Sequence, residues 1–267
     1  MDLNELAQHV ADSTEFHFPG MTYHLPRVLG FQLTKFMVLE LVAAAIMLLV
    51  FIPLARRIRT GGPPRGVFWN LFEAVLVFIR DEVARPAIGP HDAHRFLPFL
   101  WNAFFFILLC NLLGVLPWAG SPTAALTVTG ALAAMAFLVV LAAGMARSGI
   151  FGFWKSLVPH MELPLAMAII LVPVIFLLEV AGLVIRHAVL AVRLLANVFG
   201  GHLVLAAIVG FIAATAQQMF LLWAGVTVSS VLGAAALTLL EIFVAFLQAY
   251  IFTFLSALFI GMAVHPH

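Results

Sequence analysis

The chain has 267 residues, of which 64% are hydrophobic and only 9% charged. A water-soluble domain carries about 25% charged side chains, and one this apolar would expose aggregating patches, so composition excludes an ordinary soluble enzyme and points to a bilayer. The formal net charge of +1, with no basic cluster interleaved with aromatics, gives no ground for a nucleic-acid partner.

Residues 1–35 form a polar, extramembrane N-terminal segment in which Pro19 and Pro26 break any long helix. Its acids Asp2, Glu5, Asp12 and Glu15 replace the basic head of a signal peptide, so no cleavable leader is expected. Residues 36–267 read as one membrane domain. Its first apolar stretch, 36–55, ends at Arg56, Arg57 and Arg59 and is long enough to cross about 30 Å of hydrocarbon. After the break at Gly61–Pro64, Phe68, Leu71, Phe72, Val75 and Phe78 recur at helical spacing among Asn70, Glu73, Arg80 and Asp81. That pattern fits an amphipathic helix on the membrane surface or an ordinary helical loop beside it. Further spans are predicted at 97–118 and 124–145. Cys110 lies in the first of these and reads as packing, since one cysteine builds no disulfide framework.

The runs 163–216 and 220–262 exceed one upright span of about 20 residues. Each is either two spans, or a surface piece followed by a long tilted helix. Seven arginines sit in the loop 56–96 and Arg147 and Lys155 follow the third span, whereas the link holding Gly120 and Pro122 has no Lys or Arg. Positive charge favours the cytoplasmic side, which puts the N-terminus outside and, with five crossings, the C-terminus inside. No internal repeat of the kind that marks many transporters is visible.

From 163 to the end only Glu179, Arg186, Arg193 and Glu241 are formally charged. A charge at the centre of a membrane helix costs about 2.5–3.5 kcal/mol on insertion scales, so such residues face protein or water and mark a path for ions or solutes. Glu179, Arg186 and Arg193 are spaced by seven; seven residues turn about 700°, so one continuous helix carries all three on a single stripe. Asn197 extends the stripe, and His202 points to the opposite side. Glu241 and Gln248 are again seven apart. Small residues at 200–210 and 233–236 let two such helices approach closely. Arg186 also fits a side chain that snorkels to the headgroups, and Glu179 also fits a mere charge partner of Arg186. His160 and His187, near the ends of predicted spans, read as solvated or interfacial.

The segment RLLANVFGGH, with its arginine followed four residues later by asparagine, resembles the signature of subunit a of F-type ATP synthases. EIFVAFLQAYIFTFLSALFI is similar to that family's last helix, and NLLGVLPW to its second span. The resemblance covers roughly 36–262 and implies an all-α, multi-pass fold of about five spans, the last two a long tilted hairpin facing a ring of c subunits. It also implies b subunits of a peripheral stalk as partners, and the long polar N-terminal segment favours a bacterial inner membrane as the setting. Carried over, Arg193 is the essential arginine, Asn197 and Gln248 are polar neighbours, His202 and Glu241 a titratable pair of the proton path, and Glu179 and Arg186 an acid and a base on the same helix. Gly114 stands where some members carry an acid, which removes that acid from any role here. The implied task is proton translocation through two offset half-channels. The alternative is a secondary transporter using the same charges to hold a small solute. The sequence offers no phosphate-binding loop, metal-ligand cluster or nucleophile elbow, so no catalytic residue, metal or cofactor is assigned to this chain.

Overall fold

The computed structural model describes residues 13, 15–18, 21–28, 31–59, 66–116, 120–156, 165–216 and 219–265. Two short antiparallel hairpins come first: β1 (Glu15–Phe18) pairs with β2 (Met21–His24), and β3 (Arg27–Val28) with β4 (Phe31–Gln32). Arg27 Nε donates to Gln32 Oε1 at 2.9 Å across the second. These hairpins were not foreseen in the N-terminal segment. Among the described residues, the regular elements after them are all helical.

Helix α1 spans Lys35–Arg59, and its three arginines in the last turn face the negative end of the helix dipole. An amphipathic segment follows: α2 (Val67–Phe78), a π-helical turn (Ile79–Ala84) and α3 (Arg85–Ile88). Helix α4 is Ala93–Val115. After a 3-10 turn at Pro122–Ala124 come α5 (Leu126–Ser148) and the short α6 (Ile150–Ser156). Gly149 separates the last two with φ 73°, the left-handed conformation that ends helices. Helix α7 (Leu165–Thr215) has 51 residues and α8 (Phe220–Val264) has 45. Neither run is split into two spans or into a surface piece and a separate helix: each is a single unbroken helix. At 1.5 Å per residue the two measure about 76 and 68 Å, far beyond the hydrocarbon thickness, so they tilt or extend past it. Pro173 and the pair Gly200–Gly201 do not break α7; lipid offers the backbone no competing partners.

Among the described residues, five helices are long and apolar enough to cross a membrane. Large apolar side chains stay exposed along them, among them Leu49 (74%), Leu177 (68%), Leu239 (70%) and Phe243 (64%). Each gains about 1.5–3 kcal/mol on leaving water. A few therefore outweigh the cost of one intramembrane charge, and the helices insert despite Arg186, Arg193 and Glu241. The protein is a multi-pass membrane protein.

Helical contacts group into two compact units. In the first, made of 1–63, 105–129 and 193–249, the core holds Phe36, Leu39, Leu54, Ile107, Cys110 and Leu194. Cys110 is free and buried, as expected. The parts of α7 and α8 in this unit form an antiparallel hairpin: Gly201 packs on the Glu241 side chain and Gly233 faces Ile208.

The second unit comprises 64–104, 130–192 and 250–267. No residue of α2 is buried, and Val67, Phe68 and Leu71 are exposed, as an amphipathic surface helix requires. Its end is fastened: the Trp101 indole N–H donates to the Leu76 carbonyl at 3.0 Å. In the π turn, Asp81 receives both Arg80 (2.9 Å) and Arg85 (2.6 Å). The hydrogen bond from Arg80 holds the Asp81 carboxyl below its ordinary range. His265 Nε2 lies 3.0 Å from the Ile88 carbonyl oxygen and 3.5 Å from Asp92.

His187 corrects one expectation. It is 4% exposed, not interfacial. Phe137 and Phe259 stand with ring centroids 5.2 Å from its own, and its Nδ1 donates to the Leu183 carbonyl at 2.9 Å. The expectation failed because α7 is continuous there, so position 187 is mid-helix and not a span end. His160 lies outside the described residues.

Candidate functional site

Within the first unit, α4, α7 and α8 line a half-open cavity of about 350 Å³, room for more than one water molecule. Its polar wall is Asn111 from α4, Asn197 from α7 and Glu241 from α8; the rest is small or aliphatic, including Gly201 and Ala245. Gly201 lets the Glu241 carboxylate sit against the backbone of α7: a Cβ there would run into the end of that side chain and make it move aside. Close approach of the two helices thus delivers the acid of one to the backbone of the other.

The hairpin register places the other polar residues. With Gly201 opposite Glu241 and Ile208 opposite Gly233, Arg193 falls level with Gln248, and Asn197 with Val244 and Ala245. Glu241 and Asn197 are half-buried, Gln248 is 8% exposed and Arg193 is exposed. Arg193 does not line the cavity and, among the described residues, forms no ion pair. His202 follows Gly201 on α7, next to the point where Glu241 packs; its side chain is outside the described ones. In the second unit Glu179 is half-buried and Arg186 exposed, and no salt bridge joins them.

The structure therefore brings Asn197 and Glu241 to one cavity, sets Arg193 and Gln248 at one level of the hairpin, and leaves Glu179 and Arg186 unpaired with each other. It also adds Asn111, which the sequence reading passed over as part of a motif. A buried polar residue in an apolar span is the signal that could have found it. No group of three His, Cys, Asp or Glu close enough to hold a metal occurs among the described residues.

Fold and site define a helical, multi-pass membrane protein with a largely apolar cavity whose polar groups are one carboxylate and two amides. Residues 37–261 match the family model described as ATP synthase A chain. The chain is 42% identical over 264 residues to ATP synthase subunit a of Chloroherpeton thalassium, covering 96% of this chain and 75% of that protein. It is 37% identical to ATP synthase subunit a of Myxococcus xanthus, covering 97% and 88%, and 36% identical to ATP synthase subunit a 2 of Chlorobaculum tepidum, covering 97% and 72%. Two Anaeromyxobacter relatives are longer, this chain spanning 55% and 58% of them. The chain belongs to the ATP synthase A chain family.

Proposed function

We propose that this chain is the proton-translocating stator subunit in the membrane sector of an F-type ATP synthase. One observation carries the reading: Arg193 is a permanent cation on an apolar helix, exposed and without an ion pair among the described residues. A guanidinium in that setting calls for a carboxylate from outside the chain, because an uncompensated charge in the membrane costs several kcal/mol. The carboxyl groups of an adjoining c-ring supply it.

Guanidinium keeps its proton, with a pKa above about 12. Beside Arg193 a ring carboxyl gives up its proton, since a nearby cation favours the charged form. The arginine attracts that carboxylate but cannot hand a proton across, so protons take two offset half-channels and the ring turns between them. Glu241 and His202 relay protons through the cavity side, where water has room. Asn197 and Gln248 are the polar neighbours of Arg193, and Glu179 with Arg186 lines the opposite, inner path. Each charge that crosses 100 mV is worth about 2.3 kcal/mol, and several such steps drive ATP formation in other subunits. This subunit itself carries no catalytic group. Stalk b subunits and the lipid bilayer complete its surroundings, in a bacterial inner membrane with the N-terminus outside and the C-terminus cytoplasmic.

The test is ATP-driven acidification of inverted vesicles carrying the parent complex or Arg193→Ala, with assembly verified in both. The assembled variant is expected to lose pumping altogether. Normal pumping would make Arg193 structural and overturn the reading.

A further inference from the structure

The short helix α6, in the second unit, turns its apolar side outward. Ile150 is 62% exposed, Phe151 92% and Trp154 37%, and at 100° per residue the three fall within one arc of about 100°. Lys155 borders that arc and is exposed, as is Arg147 in the last turn of α5. One ring points inward: Phe153 is buried, and it packs on Gly144 so closely that a Cβ there would overlap it. A helix lying in water is built the other way round, with its polar side out.

Two contacts fix the level at which α6 lies. The chain reverses at Gly149, whose N–H donates to the Met145 carbonyl at 2.9 Å and whose own carbonyl accepts the Phe153 N–H at 2.9 Å. Phe153 thereby returns to Gly144, so α6 folds back beside the last turns of the spanning helix α5 instead of continuing past them. The Trp154 ring, in turn, stands 6.1 Å from that of Phe176 on α7. Phe176 is the twelfth residue of α7, about 16 Å along it at 1.5 Å per residue, and residues 165–176 are all apolar. If α6 lay in water, about three turns of apolar helix would lie there with it.

We propose that α6 is an interfacial anchor, lying in the plane of the membrane with Ile150, Phe151 and Trp154 among the acyl chains and with Arg147 and Lys155 at the headgroup phosphates. The partner of its outward face is phospholipid. Three features select that partner. The apolar arc offers no side-chain hydrogen-bonding group except the Trp154 indole N–H. Tryptophan suits the boundary between acyl chains and headgroups. Lys155 and Arg147 carry cations on stems long enough to reach phosphate. Through the contact between Trp154 and Phe176, α6 ties the first turns of α7 to the same leaflet. Nothing in this placement depends on proton transport, so it stands or falls separately from the function proposed above.

The test uses the assembled complex in liposomes, with p-benzoylphenylalanine in place of Phe151. On illumination this ring bonds to neighbouring C–H groups and is not consumed by water. The chain is expected to gain the mass of one phospholipid. A bond to another protein chain, or a chain of unchanged mass, overturns the proposal. A second variant, Phe151→Trp, keeps an aromatic ring, and its emission above that of the parent reports the position alone. That added emission is expected to be lost in phospholipid with brominated acyl chains and to survive iodide present on both sides of the membrane. Quenching by iodide, or indifference to the brominated chains, overturns the proposal even if the photoreactive variant fails to assemble.

Discussion

Helix α7 carries titratable or charged groups in both compact units, and it treats them differently. In the second unit His187 is walled in by Phe137 and Phe259, and its one internal hydrogen bond is to Leu183 on its own helix. In the first unit Asn197 opens onto a cavity shared with Glu241, and Arg193 is exposed. The residues are comparably polar and sit in comparably apolar sequence. What separates them is free volume: small residues on α7 and α8 leave room for water near Glu241, and aromatic rings fill it around His187. A polar group in a membrane helix points to transport only where its neighbours leave a place for the ion to go.

If that contrast is right, the largest effect beyond Arg193 belongs to Glu241. Glu241→Gln keeps the shape and the hydrogen bonding of the side chain but cannot release a proton. Flux through the assembled complex is expected to fall about a hundredfold, the lower range for a positioned proton-transfer group. Passive proton flux through the membrane sector, measured with and without an imposed potential, checks this; parental flux would remove Glu241 from the path and dissolve the contrast.

A smaller effect sharpens the geometric side. At Gly201 a Cβ runs into the Glu241 carboxylate, whereas at Gly200 it meets nothing within 4 Å. Gly201→Ala is expected to push Glu241 aside and slow flux about tenfold, equivalent to about 1.4 kcal/mol on the barrier. Gly200→Ala should leave flux unchanged and gain slightly in helix propensity, by up to about 1 kcal/mol. Equal behaviour of the two alanine variants would mean that the contact at Gly201 does not set the position of Glu241.

Part of this was legible in the sequence, and the reason is periodicity. Arg193, Asn197, Glu241 and Gln248 stand out because a charge or amide in a long apolar run has no cheap explanation, and spacings of four and seven give it a face. The small residues made a close approach of two helices readable, and their contact at Gly201 is seen directly; the hairpin itself came from the family resemblance. Asn111, Ser121 and Thr123, which the structure joins by hydrogen bonds, were not legible as a group. Asn111 lies near the end of α4 and the two hydroxyls flank Pro122, where such residues usually do no more than shape a turn. Their partnership arises only when the chain returns after α4 and sets Ser121 against Gly114. His187 was misplaced for the opposite reason: cutting 163–216 into spans of ordinary length puts it near an end, and nothing local announces that α7 runs on unbroken.

His187 gives the smallest expected effect and the most direct check on the contrast. Its Nδ1 carries the hydrogen that Leu183 accepts, so Nε2 is a lone pair, buried with no donor near it. That unmet acceptor costs stability, roughly 1–3 kcal/mol for a buried polar group without a partner. A phenylalanine has similar shape and no such lone pair, and it suits a site already bounded by two aromatic rings. His187→Phe is therefore expected to assemble, to unfold at the parental temperature or slightly above it, and to conduct protons within about twofold of the parent, since no hydrogen bond to a reacting group is lost. Its flux–pH profile should overlay the parental one. A buried histidine that took part in transport would behave otherwise: replacing it with a ring that cannot titrate would lower flux and strip a step from the pH profile, whatever it did to stability. The profile, not the melting temperature, is therefore the measurement that separates the two regions of α7.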